Sequence, residues 1–322
     1  MTLIDTHLHL ETWARKGTLP EVLARARETG VGAMITVGTS SEDWALYRDL
    51  AAAHPGVVHF SVGLHPCHVG ASWEREVAQL AAFFSRAEPP APPPPDTATP
   101  SFAAGPAAQP YPPQPARDAR VAPNQTRPEV TFHPQATEPD FRAVPMPVAL
   151  GECGLDRFHL PKETAEAEKI FAWQRAAFAA QLTLARDLAC PLIVHSRGAF
   201  RESVEMIDAS GVDWTRVVFH CFSEGPAEIA ELNRRGGRGS FTGILTYKSA
   251  APVRDAAKAQ GLAHLMVETD APWLAPVPHR GKPNEPAYVR HTAEFAAQEI
   301  FGVSLDEFAA VTTANAKVFF GI

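Results

Sequence analysis

Eight times along this chain a short run of β-branched and aromatic residues is followed by a helix-period pattern, and this repeat limits the available folds more than any other feature. The strand-like runs are 3–8, 33–37, 57–64, 148–153, 192–195, 217–221, 238–242 and 265–269. The helical patterns that come after them are 19–28, 42–53, 73–84, 163–188, 200–208, 227–234, 252–259 and 286–300. A terminal helix at 305–320 comes last, with Ser304 placed to cap it. The runs are Val/Ile/Phe/Leu-rich rather than alternating, as expected of parallel strands covered on both faces. Eight such units predict an α/β fold, a (β/α)8 TIM barrel. An open doubly wound sheet fits less well, because Asp5-Thr6-His7-Leu8-His9 stands where its Gly-rich turn would follow the first strand.

One stretch breaks the rhythm. Residues 88–147 hold 18 of the 30 prolines, including Pro92-Pro93-Pro94-Pro95. Proline removes backbone donors, so neither helix nor sheet is expected there. The chain therefore reads as one barrel domain, 1–322, interrupted by a Pro/Ala-rich disordered insertion at 88–147. That insertion is either a tolerated surface loop or a polyproline-type arm that docks a protein partner. It comes after the third helix, so its ends belong on the rim opposite the strands' C-termini, although about 60 flexible residues are enough to reach around a barrel.

Charge and cysteine content narrow the setting. With 29 Lys+Arg against 36 Asp+Glu, a formal charge of −7, a broad grip on duplex nucleic acid is not expected. The four cysteines are scattered, with no Cys-x-x-Cys pair, which suits a reducing compartment. No basic run followed by an apolar stretch opens the chain, and no long apolar run spans a membrane. A cytoplasmic protein is expected.

Chemistry-bearing residues recur where the strands end: His7 and His9 on the first, Glu152 on the fourth, His195 on the fifth, His220 on the sixth and Asp270 on the eighth. In a barrel these ends share the rim where active sites sit. His7 and His9 are two apart on a strand, so both imidazoles aim into the mouth. Unpaired carboxylates are too costly to serve as core packing, and imidazole with carboxylate suits zinc, manganese or iron. Cys67, Cys153 and Cys221 also lie just after strands and read as small packing residues, with Cys67 exposed enough to oxidise.

The ordered strings Ile4-Asp5-Thr6-His7-Leu8-His9, Val62-Gly63-Leu64-His65-Pro66, Gly151-Glu152-Cys153-Gly154-Leu155-Asp156, His195-Ser196-Arg197 and His220-Cys221-Phe222-Ser223 resemble the TatD family of metal-dependent hydrolases, among the amidohydrolase-like barrels. Glu268-Thr269-Asp270-Ala271-Pro272-Trp273-Leu274 and Arg280-Gly281-Lys282-Pro283-Asn284-Glu285-Pro286 extend the resemblance. It implies two divalent ions, Mg, Mn or Zn: His7, His9 and Asp270 on one, His195 and His220 on the other, Glu152 bridging. Glu152 and Asp270 are then the catalytic pair, with Asp270 able to take a proton from the attacking water. His65 resembles a substrate-phosphate contact, against a turn-stabilising role. Arg280 and Asn284 are placed to clamp a phosphodiester, with solvation the alternative for Arg280.

Glu268 and Asp5 each read either as groups that orient a ligand histidine or as structural hydrogen-bonding groups. Ser223-Glu224-Gly225-Pro226 and Pro283 depart from the family pattern, the first adding an acidic group near the mouth. The activity implied is cleavage of DNA phosphodiesters, as a 3′→5′ exonuclease on single-stranded ends with a shallow salt dependence. The alternative is ester or amide hydrolysis, such as deacylation of aminoacyl-tRNA. The residues alone support water attack on an electrophile and do not choose phosphorus over carbonyl carbon.

Overall fold

The computed structural model of the chain describes residues 2–85 and 144–322. Most of the proline-rich segment expected at 88–147 lies outside the described residues. Among those described, eight parallel strands pair in sequence order: β1 (Leu3–Leu8), β2 (Val31–Val37), β3 (Val58–Val62), β4 (Ala149–Asp156), β5 (Leu192–Arg197), β6 (Val217–Phe219), β7 (Arg238–Phe241) and β8 (Met266–Val267). The helices are α1 (Glu11–Lys16), α2 (Leu19–Glu28), α3 (Trp44–Ala53), α4 (Trp73–Phe83), α5 (Thr164–Leu188), α6 (Phe200–Ser210), α7 (Pro226–Arg235), α8 (Ala251–Gln260), α9 (Val289–Phe295) and α10 (Leu305–Phe320). This is the (β/α)8 barrel that the repeat predicts. The short α1 is an addition, so the helix expected third is α4. The Ser304 hydroxyl caps α10 by accepting the N–H of Glu307 at 3.2 Å.

Ile4, Ile35, Val37, Ala149, Ile193, Val218 and Met266 come from strands on several sides of the barrel and pack in one buried cluster. Phe319 and Phe320, at the end of α10, pack with them. Phe319 also lies under the guanidinium of Arg238, the first residue of β7, at 4.8 Å. The barrel is therefore plugged at the end opposite its C-terminal rim. No helix among the described residues is long and apolar enough to cross a membrane.

Closure between β1 and β8 is made beyond the short β8 ladder. The Asp270 N–H donates to His7 O at 2.9 Å, and the His9 N–H donates to Ala271 O at 2.9 Å. One residue deeper, the buried Asp5 carboxylate accepts the Thr269 N–H at 2.9 Å and its hydroxyl at 2.6 Å. Asp5 is thus a structural clasp between the first and last strands.

The strands that carry the polar rim slip register at three places, at Leu3/Ile4 and between Asp5 and Leu8 in β1 and between Leu150 and Cys153 in β4. In β1 the pairing runs Asp5↔Met34 and then Leu8↔Thr36, three residues against two. In β4 it runs Leu150↔Leu192 and then Cys153↔Val194. Each bulge inserts one residue and re-aims the side chains beyond it. Asp5 therefore leaves the face of His7 and turns to β8, while Ile4 joins the interior cluster.

Just past the β4 bulge, close pairing with β5 depends on glycine. Gly154 has φ +142°, and a Cβ there would overlap the carbonyl of His195 on β5. Gly154→Ala is expected to cost on the order of 3 kcal/mol from backbone strain and overpacking. A urea unfolding curve should show a lower midpoint at unchanged slope; an unaltered midpoint would contradict the packing argument.

Candidate metal centre

Six side chains reach one point on the C-terminal rim. β1 brings His7 and the residue just past its end, His9; β4 brings Glu152, β5 brings His195, the turn after β6 brings His220, and the segment after β8 brings Asp270. Asp270 stands at φ +55°, a left-handed conformation that aspartate tolerates better than most residues.

Glu152 lies at the middle. Its Oε2 is 3.3 Å from His7 Nε2. Its Oε1 is 2.6 Å from His220 Nε2, 2.9 Å from His195 Nδ1 and 3.2 Å from His65 Nε2. The two oxygens thus face different sets of imidazoles. Asp270 Oδ1 completes the first set, 3.5 Å from His9 Nε2 and 3.7 Å from His7 Nε2.

Burial opposes charge on both carboxyls, yet Glu152 is held well below the ordinary carboxylate range by His220, His65 and His195. Asp270 is lowered in the same way: burial works against it, and His9, His7 and His220 outweigh burial. His9 moves the other way, up to about 9, because Asp270 and Glu152 overcome the effect of its burial.

The donor set fits a divalent cation. His7 is 0% exposed, and neither of its ring nitrogens has a hydrogen-bond partner. A buried nitrogen left this way costs about 1–3 kcal/mol, which a cation accepting its lone pair removes. His9 Nδ1 lies 3.1 Å from Val37 O, so donation to that carbonyl leaves Nε2, which faces Asp270, as the nitrogen that would release its proton to bind a cation. Within this cluster, three-residue groups with donor atoms close enough to share an ion are His7–His220–Asp270, His7–His9–Glu152 and His65–Glu152–His195.

The supporting residues are equally specific. Glu268 is buried, accepts the Cys221 N–H at 2.5 Å and the Ser240 hydroxyl, and sits 3.6 Å from His220 Nδ1. It stands behind His220, whose Nδ1 makes no hydrogen bond to it. Asp156 does hydrogen-bond His195: its Oδ2 is 3.0 Å from His195 Nε2 and leaves Nδ1 toward Glu152. Asp156 was not among the expected site residues. Its signal was available, since it is four residues after Glu152 at strand periodicity.

Three expected substrate contacts have different fates. His65 lies inside the cluster against Glu152. Arg280 is exposed, its guanidinium 4.4 Å from the centre of the Tyr247 ring. Asn284 departs from expectation: it is 1% exposed, donates to Thr269 O at 2.9 Å and Trp273 O at 2.5 Å, and accepts the Glu285 N–H at 3.0 Å. Its amide is used in holding the loop to the end of β8.

A parallel barrel whose rim gathers imidazoles around buried carboxylates defines a metal-dependent hydrolase. Comparison with known proteins agrees. A family model described as "TatD related DNase" matches residues 4–91 and 119–321. YcfH of Escherichia coli strain K12, an uncharacterized metal-dependent hydrolase, is 41% identical over 168 residues, 52% of this chain and 60% of that protein. The chain thus matches about three fifths of that relative's length. A 3'-5' ssDNA/RNA exonuclease TatD of Erwinia amylovora is 26% identical over 310 residues, 94% of this chain and 93% of that protein. The crystal structure of YJJV, a TatD homolog from Escherichia coli K12, shares the fold with a TM-score of 0.74 at 22% identity, covering 99% of this chain and 98% of that one. The chain belongs to the TatD family of metal-dependent hydrolases.

Because Glu152 faces both sets of imidazoles, Glu152→Ala is expected to lose at least one bound divalent ion per chain. Elemental analysis after equilibrium dialysis reads this directly, and an undiminished ion count would show that the carboxylate is not a shared ligand.

Proposed function

We propose that the chain is a divalent-metal-dependent phosphodiesterase that removes nucleotides 3′→5′ from single-stranded or frayed DNA ends. The observation that carries the metal-dependent hydrolysis in this reading is the position of Glu152, one carboxylate with an oxygen toward each group of imidazoles. In this assignment His7, His9 and Asp270 would hold one ion, His195 and His220 the other, and Glu152 would be a ligand common to both. Two such ions would supply Lewis-acid polarisation of a phosphoryl oxygen and acidify an attacking water. The name of the Erwinia amylovora relative supports the nucleic-acid substrate and the polarity.

The remaining steps fall to side chains. Asp270, kept ionised by its imidazole neighbours, takes the proton of the attacking water. His65 Nδ1 accepts the Cys67 N–H at 3.1 Å, so its hydrogen is on Nε2, pointing into the cluster. Burial chiefly drives the His65 pKa down to about 4, which keeps the ring a neutral donor whose Nε2–H faces Glu152 Oε1 at 3.2 Å and would meet a phosphate oxygen only by turning from it. Arg280 offers a cation from the loop after β8.

The rim beside β4 supports a single-stranded substrate. Phe158 is 65% exposed, and the Arg197 guanidinium lies 3.9 Å from the centre of its ring. An exposed aromatic backed by arginine is a stacking surface for an unpaired base.

With metal-loaded protein and 5′-labelled single-stranded DNA, the expected product is a ladder shortening from the 3′ end with mononucleotides released. Glu152→Ala should reduce the rate by at least about 10³-fold, several kcal/mol of lost stabilisation. Intact DNA would refute the phosphodiesterase reading, and free amino acid released from aminoacyl-tRNA with intact RNA would move the site to ester hydrolysis. Phe158→Ala should raise KM for single-stranded DNA about tenfold with kcat nearly unchanged, given about 1–3 kcal/mol per stacked base. An unchanged KM would remove Phe158 from the strand path.

A further inference from the structure

A second group of metal-type donors lies one imidazole ring away from Glu152. Cys67 Sγ is 3.6 Å from Asp156 Oδ2 and 3.7 Å from His159 Nδ1, and that nitrogen is 2.8 Å from the same carboxylate oxygen. Cys67 belongs to the 3-10 turn after β3, Asp156 ends β4, and His159 is in the loop beyond it. Asp156 is fully buried, His159 partly, and Cys67 is exposed, so the donors converge at a point open on one side.

The arrangement is braced from below. Gln174, buried on α5, accepts the Asp156 N–H at 3.0 Å and donates to Pro66 O at 3.2 Å. One amide thus fixes both segments that carry the donors. The Asp156 carboxylate is fixed further, because Oδ1 accepts the His159 N–H at 2.8 Å while Oδ2 faces His195 Nε2.

Distances point to zinc. A tetrahedral zinc with bonds of about 2.3 Å to sulfur and about 2.0–2.1 Å to nitrogen or oxygen sets donor-to-donor edges of about 3.3–3.6 Å. Both edges to Cys67 Sγ have that length within 0.1 Å or so, whereas the Asp156–His159 edge is at hydrogen-bond length and must open by about 0.5 Å. A thiol at these separations makes only a weak hydrogen bond, so hydrogen bonding gives little reason for the sulfur to sit between a carboxylate and an imidazole. One thiolate, one imidazole and one carboxylate favour zinc and discriminate against magnesium and manganese, which take oxygen donors.

We propose that Cys67, Asp156 and His159, the three donors that meet here among the described residues, form a separate zinc site on the rim. It shares Asp156 with the support of His195, so its occupancy is coupled to how firmly that imidazole is held. The assignment does not depend on which substrate the main cluster hydrolyses.

The full chain, stripped with chelator, is titrated with zinc and, in parallel, with cobalt(II) as a spectroscopic probe. Wild type is expected to bind one more zinc than Cys67→Ala, and that difference is independent of how many ions the main cluster takes. Cobalt should give a thiolate-to-metal charge-transfer band in wild type that is absent from Cys67→Ala and weakened in His159→Gln. Excess magnesium should not displace the ion. Cys67 is exposed, so the alanine variant should fold, and an unchanged circular-dichroism spectrum checks this. Equal zinc counts in wild type and Cys67→Ala, or a thiolate band that survives Cys67→Ala, would overturn the proposal.

Discussion

The barrel closes through the residues that form its polar rim. The hydrogen bonds from Asp270 N–H to His7 O and from His9 N–H to Ala271 O are backbone contacts between the first strand and the chain leaving the last. They also fix where three of the six clustered side chains stand. Closure and site are therefore a single construction: a barrel that failed to close would leave two buried imidazoles and a carboxylate without partners. Asp5, clasping Thr269 one step deeper, protects this join from inside the structure.

The same economy operates on the far side. Glu152 reaches the centre because β4 slips register by one residue, and β1 slips likewise around His7. Regular strands would send these side chains to positions set by strict alternation. The irregularity re-aims them, and glycine at 154 lets β5 pass close enough to bring His195 to within 2.9 Å of the carboxylate. Behind the ring of imidazoles stand Glu268 and Asp156, one against His220 and one against His195.

Much of this was readable in the sequence, for physical reasons. Eight repeats of a strand pattern and a helix pattern leave few topologies, and strand ends in a parallel barrel must share a rim. Six polar residues at strand ends were thereby brought together without any knowledge of loops. The features that escaped depend on one-residue details. Alternation counted back from His7 puts Asp5 on its face, and only the bulge shows Asp5 turned to β8. Asn284 looked like a clamp because amides bind phosphates, but the nearby carbonyls of Thr269 and Trp273 engage its donors first. His65 was placed at the rim but not against Glu152, because a loop's path is not encoded in periodicity. Cys67 read as packing because its neighbours, Asp156 and His159, are about 90 residues away in sequence.

The clasp between first and last strands has a consequence in time. Thr269 comes 264 residues after Asp5, and at about 5–20 residues per second the ribosome takes on the order of tens of seconds to produce the interval. Throughout that period His7 and His9 are present and Asp270 does not yet exist. An ion met early finds a pair of imidazoles and no carboxylate from the last strand. The full cluster of imidazoles and carboxylates arises only once the C-terminal portion has emerged, so its donor set belongs to the finished barrel and not to the growing chain.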